Sequence, residues 1–145
     1  MTRHAKPPEQ PPFWRLFIQA GQKHQVPPML LAAQAAAESS FNPSAVSKAG
    51  AQGLMQLEPR FYPNIDPFDP AQAIPAAAES MSRYYLEFGE WRLALAAYNW
   101  GPGNLTACLA AKEHRAGWPL ETRYYVTHVM VLWARYQKTG GWYAG

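Results

Sequence analysis

PPMLLAAQAAAESSFNP, residues 27–43, is the stretch on which the reading of this chain turns. Alanine, leucine, methionine and glutamine are strong helix formers, and proline suits the first helical position, where its missing N–H would have had no partner. The stretch predicts a helix with Pro28 near its start and Ser39 near its end. Within it Leu31, Gln34, Ala35 and Glu38 share a face at i, i+3, i+4 and i+7, so Glu38 closes a small and otherwise apolar stripe. A carboxylate is out of place there. Burial against apolar neighbours raises a carboxyl pKa, which a general acid working near neutral pH requires. The plainer alternative is a helix-end glutamate held by a serine or an arginine.

Working outward, Phe13, Trp14, Phe17 and Ile18 recur with helical spacing after Pro11-Pro12, a pair that suits a first turn, and Gly21 lies near the end of that helix. Residues 1–12 read as a flexible lead-in and 13–145 as one catalytic-sized domain. From Phe41 to Asp69 the chain is rich in Gly, Pro, Asn and Ser, which predicts mostly loop with one short helix and at most a small hairpin. Ile74, Ala77, Ala78, Met81, Tyr84, Tyr85 and Phe88 keep helical spacing up to Gly89. EWRLALAAYNW forms a short helix stopped by Gly101-Pro102-Gly103, after which Asn104 is the expected cap of LTACLAAKEH. A last helix begins near Pro119, carries Tyr125, Val129, Leu132, Trp133 and Tyr136 on one stripe, and is ended by GGWYAG. No alternating strand pattern and no internal repeat appear, so the fold class is all-α.

Bulk properties narrow the function. A chain of 145 residues fits one domain, and 48% hydrophobic against 16% charged residues describes a globular protein. The net charge of +3 is scattered singly, so no basic face for nucleic acid is expected. Cys108 is the only cysteine, which rules out an intrachain disulfide. His4, His24, His114 and His128 have no ligand-like spacing with Cys108 or each other, so neither a metal nor a cofactor is expected. No run of about 18 apolar residues predicts a membrane span, and the start MTRHAKPPEQPPFWRLF has no secretory apolar region.

ESSFNP (38–43), Ser47 followed by KAGAQGLMQL (48–57), AYNWGPGN (97–104) and ETRYYV (121–126), in this order, resemble the soluble lytic transglycosylases. These are lysozyme-like enzymes that cleave the glycan strands of peptidoglycan, and the resemblance spans roughly Val26 to Val131. It implies a lysozyme-like helical fold, α+β at most, with a long active-site loop region. It makes Glu38 the catalytic acid/base, places Ser47, Met55 and Gln56 along the sugar groove, and turns Tyr98 and Asn99 towards the same site. Glu121 and Tyr125 correspond to further groove residues. The implied reaction cuts the β-1,4 bond between N-acetylmuramic acid and N-acetylglucosamine and leaves a 1,6-anhydromuramoyl end. The implied partner is the glycan strand and the implied place of action the bacterial wall. A monomer is expected, delivered by a phage or after removal of a signal.

Three departures from the family pattern keep alternatives open. Glu58 stands where a second methionine is usual, and a carboxylate there either raises the pKa of Glu38 or serves as the second carboxylate of a hydrolase, a lysozyme-type muramidase on the same fold. Its plainer reading is a solvated loop residue; Asp66 and Asp69 are weaker candidates for the same role. Trp100 replaces a small residue and either stacks on a sugar or plugs the core. AQAIPAAAES lacks the asparagine usual at its start, which leaves the cap of that helix unassigned. A catalytically silent wall-binding or virion module is the rival from another class.

Overall fold

A computed structural model describes residues 10–139. Six helices carry the fold: α1 (Trp14–His24), α2 (Pro28–Ser39), α3 (Pro70–Phe88), α4 (Trp91–Trp100), α5 (Pro102–Ala110) and α6 (Leu120–Thr139). Short 3-10 turns lie at Pro59–Phe61 and Arg115–Gly117. No strand forms among the described residues, in line with the all-α expectation. The anticipated hairpin reduces to two isolated antiparallel bridges, Val46 to Gln52 and Gln52 to Leu57. No helix among these residues is long and apolar enough to cross a membrane.

Helix α2 is the axis of the molecule. Pro28 occupies its first turn, and every residue from Met29 to Ala35 is buried. The helix is therefore buried all round over its first two turns, and the single stripe expected from its spacing is only one part of what it buries. It packs against α6 on one side and α1 on another, and touches α3, while α4 joins α3, α5 and α6 into the remaining wall. The entry to α2 needs a glycine: a Cβ on Gly21 would lie 2.5 Å from the Val26 carbonyl oxygen and 2.7 Å from Cγ of Pro28. That close approach brings α1 onto α2.

Several helix ends differ from the sequence expectation for local reasons. Phe13 takes a left-handed conformation at φ 63°, so α1 starts at Trp14 and the two prolines precede it instead of opening it. Asp69 accepts a hydrogen bond from the Ala71 amide at 3.0 Å, which supplies the missing cap of α3 and, with Pro70, starts that helix before its apolar series begins. Helix α5 begins at Pro102, so Asn104 lies inside it. The Asn104 side chain instead donates from Nδ2 to the Trp100 carbonyl at 2.7 Å and closes the end of α4. Helix α5 stops at Ala110, because Lys112 and His114 both take positive φ. In α6, Tyr125 and Val129 are buried and Leu132, Trp133 and Tyr136 partly so; the GGWYAG tail lies outside the described residues.

Between α2 and α3 the chain is irregular yet anchored by buried Leu54, Met55 and Leu57. Gly53 is the tightest point. Its amide donates to the Ala45 carbonyl at 2.7 Å, its φ is +80°, and a Cβ there would collide with the Pro67 carbonyl. Gly50 has φ +92° but open space around it. Gly53→Ala should therefore destabilise the fold by more than about 2 kcal/mol, from positive-φ strain plus backbone displacement, whereas Gly50→Ala should cost only the strain, about 1 kcal/mol. Urea unfolding of the two variants checks this; equal losses would refute it.

Candidate active site

A cleft of about 910 Å³ opens where the end of α2, the loop after it and parts of α3 to α6 meet. Glu38, Ser47, Gln56, Glu58, Tyr98, Asn99 and Glu121 all line it. Residues scattered over the sequence thus converge on one hollow.

Glu38 stands in the last turn of α2, partly buried. Immediately after it Ser39 donates from Oγ to the Leu54 carbonyl at 2.8 Å and makes a second, longer contact with the Ala35 carbonyl at 3.1 Å. Ser40 and Phe41 then adopt positive φ and turn the chain away. Among the described residues the Glu38 carboxyl has no hydrogen-bond partner. Burial raises its pKa from 4.5 to about 8, and the charge of Glu121 in the first turn of α6 pushes the same way. A helix C-terminus also disfavours negative charge. Glu38 is therefore largely protonated at neutral pH.

The residues around it are held by specific bonds. Tyr98 donates its hydroxyl proton to the Met55 carbonyl at 2.7 Å. Asn99 accepts at Oδ1 from the Thr122 hydroxyl at 2.8 Å, which ties α4 to α6. Gln56, at φ +52°, spends its Nε2 on the Gly53 and Ala45 carbonyls, at 2.9 and 3.2 Å. Ser47 accepts the Ala51 amide at 3.0 Å. Burial, followed by the nearby Glu38 charge, pushes the hydroxyls of Tyr98 and Tyr125 well above the ordinary tyrosine range.

Two expected groove residues do not line the cleft. The Met55 side chain is fully enclosed, and what it offers the site is its backbone carbonyl. Tyr125 is buried behind the wall, where its oxygen accepts a hydrogen bond from Gln34 Nε2 at 3.2 Å. Glu58 does line the cleft, but its carboxylate binds Arg60 Nε at 3.0 Å, and the charge that raises the pKa of Glu38 is that of Glu121. Asp66 and Asp69 are occupied elsewhere, Asp66 with the Phe68 amide at 2.9 Å and Asp69 as the cap of α3. Trp100 is partly packed on the core and also lines the cleft.

Arg83 and Tyr84 of α3, with Phe61 and Tyr62 of the loop, also face the cleft and were not expected there. Tyr84 belongs to the apolar series of α3 and reads as packing, while Arg83 carries no pattern of its own. Tyr62 is fixed by a 2.7 Å hydrogen bond between its hydroxyl and that of Ser80. Arg60 lies 4.5 Å above the Phe61 ring.

The raised pKa of Glu38 has a measurable consequence for stability. With a folded-state value near 8 and an ordinary value of 4.5, ionising Glu38 opposes folding: the cost is absent below the lower value, grows between the two and is complete above the higher. Glu38→Gln should therefore melt close to the wild type at acid pH and above it, by a few kcal/mol of stability, at alkaline pH. A stability difference independent of pH would contradict the assignment.

Residues 15–120 match the family model described as the transglycosylase SLT domain. Membrane-bound lytic murein transglycosylase F of Ectopseudomonas mendocina is 36% identical over 66% of this chain and 22% of its own length. The transglycosylase of Enterobacteria phage PRD1 is 30% identical over 81% of this chain and 42% of its own. Among solved structures, the 70 kDa soluble lytic transglycosylase SLT70 of Escherichia coli superposes with a TM-score of 0.78 at 28% identity, over 89% of this chain and 24% of that one. The chain thus spans less than half the length of either relative, and about a quarter of SLT70. With its motifs, helical fold and cleft in agreement, the chain belongs to the transglycosylase SLT domain family.

Proposed function

We propose that this chain is a peptidoglycan lytic transglycosylase acting at the bacterial wall, cleaving between N-acetylmuramic acid and N-acetylglucosamine to leave 1,6-anhydromuramoyl ends. The observation that carries the reading is Glu38, a carboxyl that burial keeps protonated near neutral pH while its cleft remains open to a polymer. The names of the relatives point to the same chemistry.

A protonated carboxyl in a cleft can donate to a glycosidic oxygen. Glu38 gives its proton to the oxygen of the scissile bond, the C1–O bond breaks, and the acetamido group of the same sugar stabilises C1. Glu38, now ionised, accepts the proton of the muramoyl C6 hydroxyl as that oxygen attacks C1. The proton inventory returns to its starting state, and no water is consumed. Substrate assistance of this kind needs no second carboxylate, which accords with Glu58 being paired to Arg60. In this scheme Ser47, Gln56, Tyr98, Asn99 and Glu121 shape the sugar-binding walls, and Met55 and Tyr125 support them from behind.

Digestion of purified peptidoglycan followed by mass analysis of the muropeptides tests the proposal. Anhydro ends are expected, and products heavier by one water would assign the chain to the hydrolases. Absence of cleavage would leave only a wall-binding module. Glu38→Gln should lower the rate by roughly a hundredfold or more, as loss of a general acid does, while Glu58→Gln should still yield anhydro ends. Because the first step needs protonated Glu38, the rate should fall as pH rises through about 8.

A further inference from the structure

Gln34 is fully buried among the alanines and leucines of α2, one helical turn before Glu38 and on the same face. Its Nε2 donates to the Tyr125 hydroxyl oxygen at 3.2 Å, while its Oε1 has no hydrogen-bond partner among the described residues. A methionine or leucine would fill this space without leaving a bare amide oxygen in the core, so packing does not account for a glutamine here. An unsatisfied buried polar atom in a native core calls for another reason.

The partner supplies one. Helices α2 and α6 face each other with two rungs across their interface. Gln34 bonds Tyr125 on the first, and the charges of Glu38 and Glu121, each one turn further towards the cleft, interact on the second. Tyr125 stands on the first rung, one helical turn from Glu121, and its hydroxyl feels the charge of Glu38. Because the Tyr125 oxygen accepts from Gln34, its own proton remains unspent. Glu38 interacts electrostatically with Glu121 and Tyr125 from α6 and Tyr98 from α4, and Ser47, Glu58, Tyr62 and Arg83 line the same cleft. Glu121 offers no proton donor when ionised, and the Tyr98 proton is committed to the Met55 carbonyl. Of the hydroxyls whose protons are uncommitted, that of Ser47 among them, Tyr125 is the one bonded to a residue of α2.

We propose that Gln34 is a positioning residue that acts through Tyr125, holding the phenol oxygen so that its O–H meets the negative charge appearing on Glu38 when Glu38 gives up its proton. This rests on the reading of Glu38 as the acid and base of the reaction. The phenol keeps its proton throughout and contributes a hydrogen bond to the carboxylate, which is the form that must wait for the C6 hydroxyl. Without Gln34 the Tyr125 oxygen loses its fixed donor, and its proton is free to turn elsewhere.

The experiment compares Gln34→Met, Tyr125→Phe and the double variant on purified peptidoglycan, with Glu38→Gln as control. Each single variant should lower kcat by roughly tenfold, the effect of losing one hydrogen bond to a charged group. The alkaline limb of the rate profile should move to higher pH in both, because a carboxylate deprived of a donor is harder to ionise. The double variant should be no slower than Tyr125→Phe, since both changes remove the same bond. Gln34→Met should melt no lower than the wild type, which separates this outcome from a packing defect; Gln34→Leu repeats the reading with a different shape. Wild-type kcat and pH profile in both Gln34 variants would overturn the proposal, as would a double variant whose loss is the product of the single losses. Retained activity in Glu38→Gln would instead remove the acid/base reading beneath it.

Discussion

Two consecutive backbone carbonyls, those of Leu54 and Met55, hold the site together. The first accepts from Ser39 at 2.8 Å and the second from Tyr98 at 2.7 Å. Each donor is the sequence neighbour of a cleft residue, Ser39 following Glu38 and Tyr98 preceding Asn99. One short piece of loop, sunk into the core by Leu54, Met55 and Leu57, therefore clamps the end of α2 to the end of α4. A net gain of about 1 kcal/mol per bond understates this, because losing either donor would leave an enclosed carbonyl unsatisfied. The position of Glu38 follows from the clamp, and its protonation from the position.

Much of this was legible in the sequence, and the misreadings share a cause. Composition and the proline at its start located α2, but spacing implied one buried stripe where the helix is enclosed all round, because periodicity reports one face and says nothing of what covers the others. Met55 stands in a motif with Gln56, which implies a groove residue. Its side chain is in the core and its carbonyl receives Tyr98. A motif records that a position matters and not whether its side chain or its backbone does the work. Asn104 is similar: its residue type suits a cap, but it closes the helix before it instead of opening the one after.

Charge was the hardest property to read along the chain. Glu58 lies beside a motif, where either a solvated loop residue or a second carboxylate fits the sequence, and two residues later Arg60 takes it up. Glu121 comes from the far end of the domain and reaches Glu38 only because α6 packs on α2. Arg83 and Tyr84 went unrecognised for the same reason, since only the packing of α3 brings them to the cleft.

The clamp grips the loop by its main chain, which leaves the side chains a few positions further on under little obligation. Arg60 and Phe61 are both exposed, bonded to or stacked on one another and on Glu58, and neither is a partner of Ser39 or Tyr98. They form an exchangeable lip on a fixed jaw. Under the proposed function, residues at these two positions can change to suit a different glycan without disturbing Glu38 below. A protein engineer seeking a new specificity has the same freedom, provided the two carbonyls keep their donors.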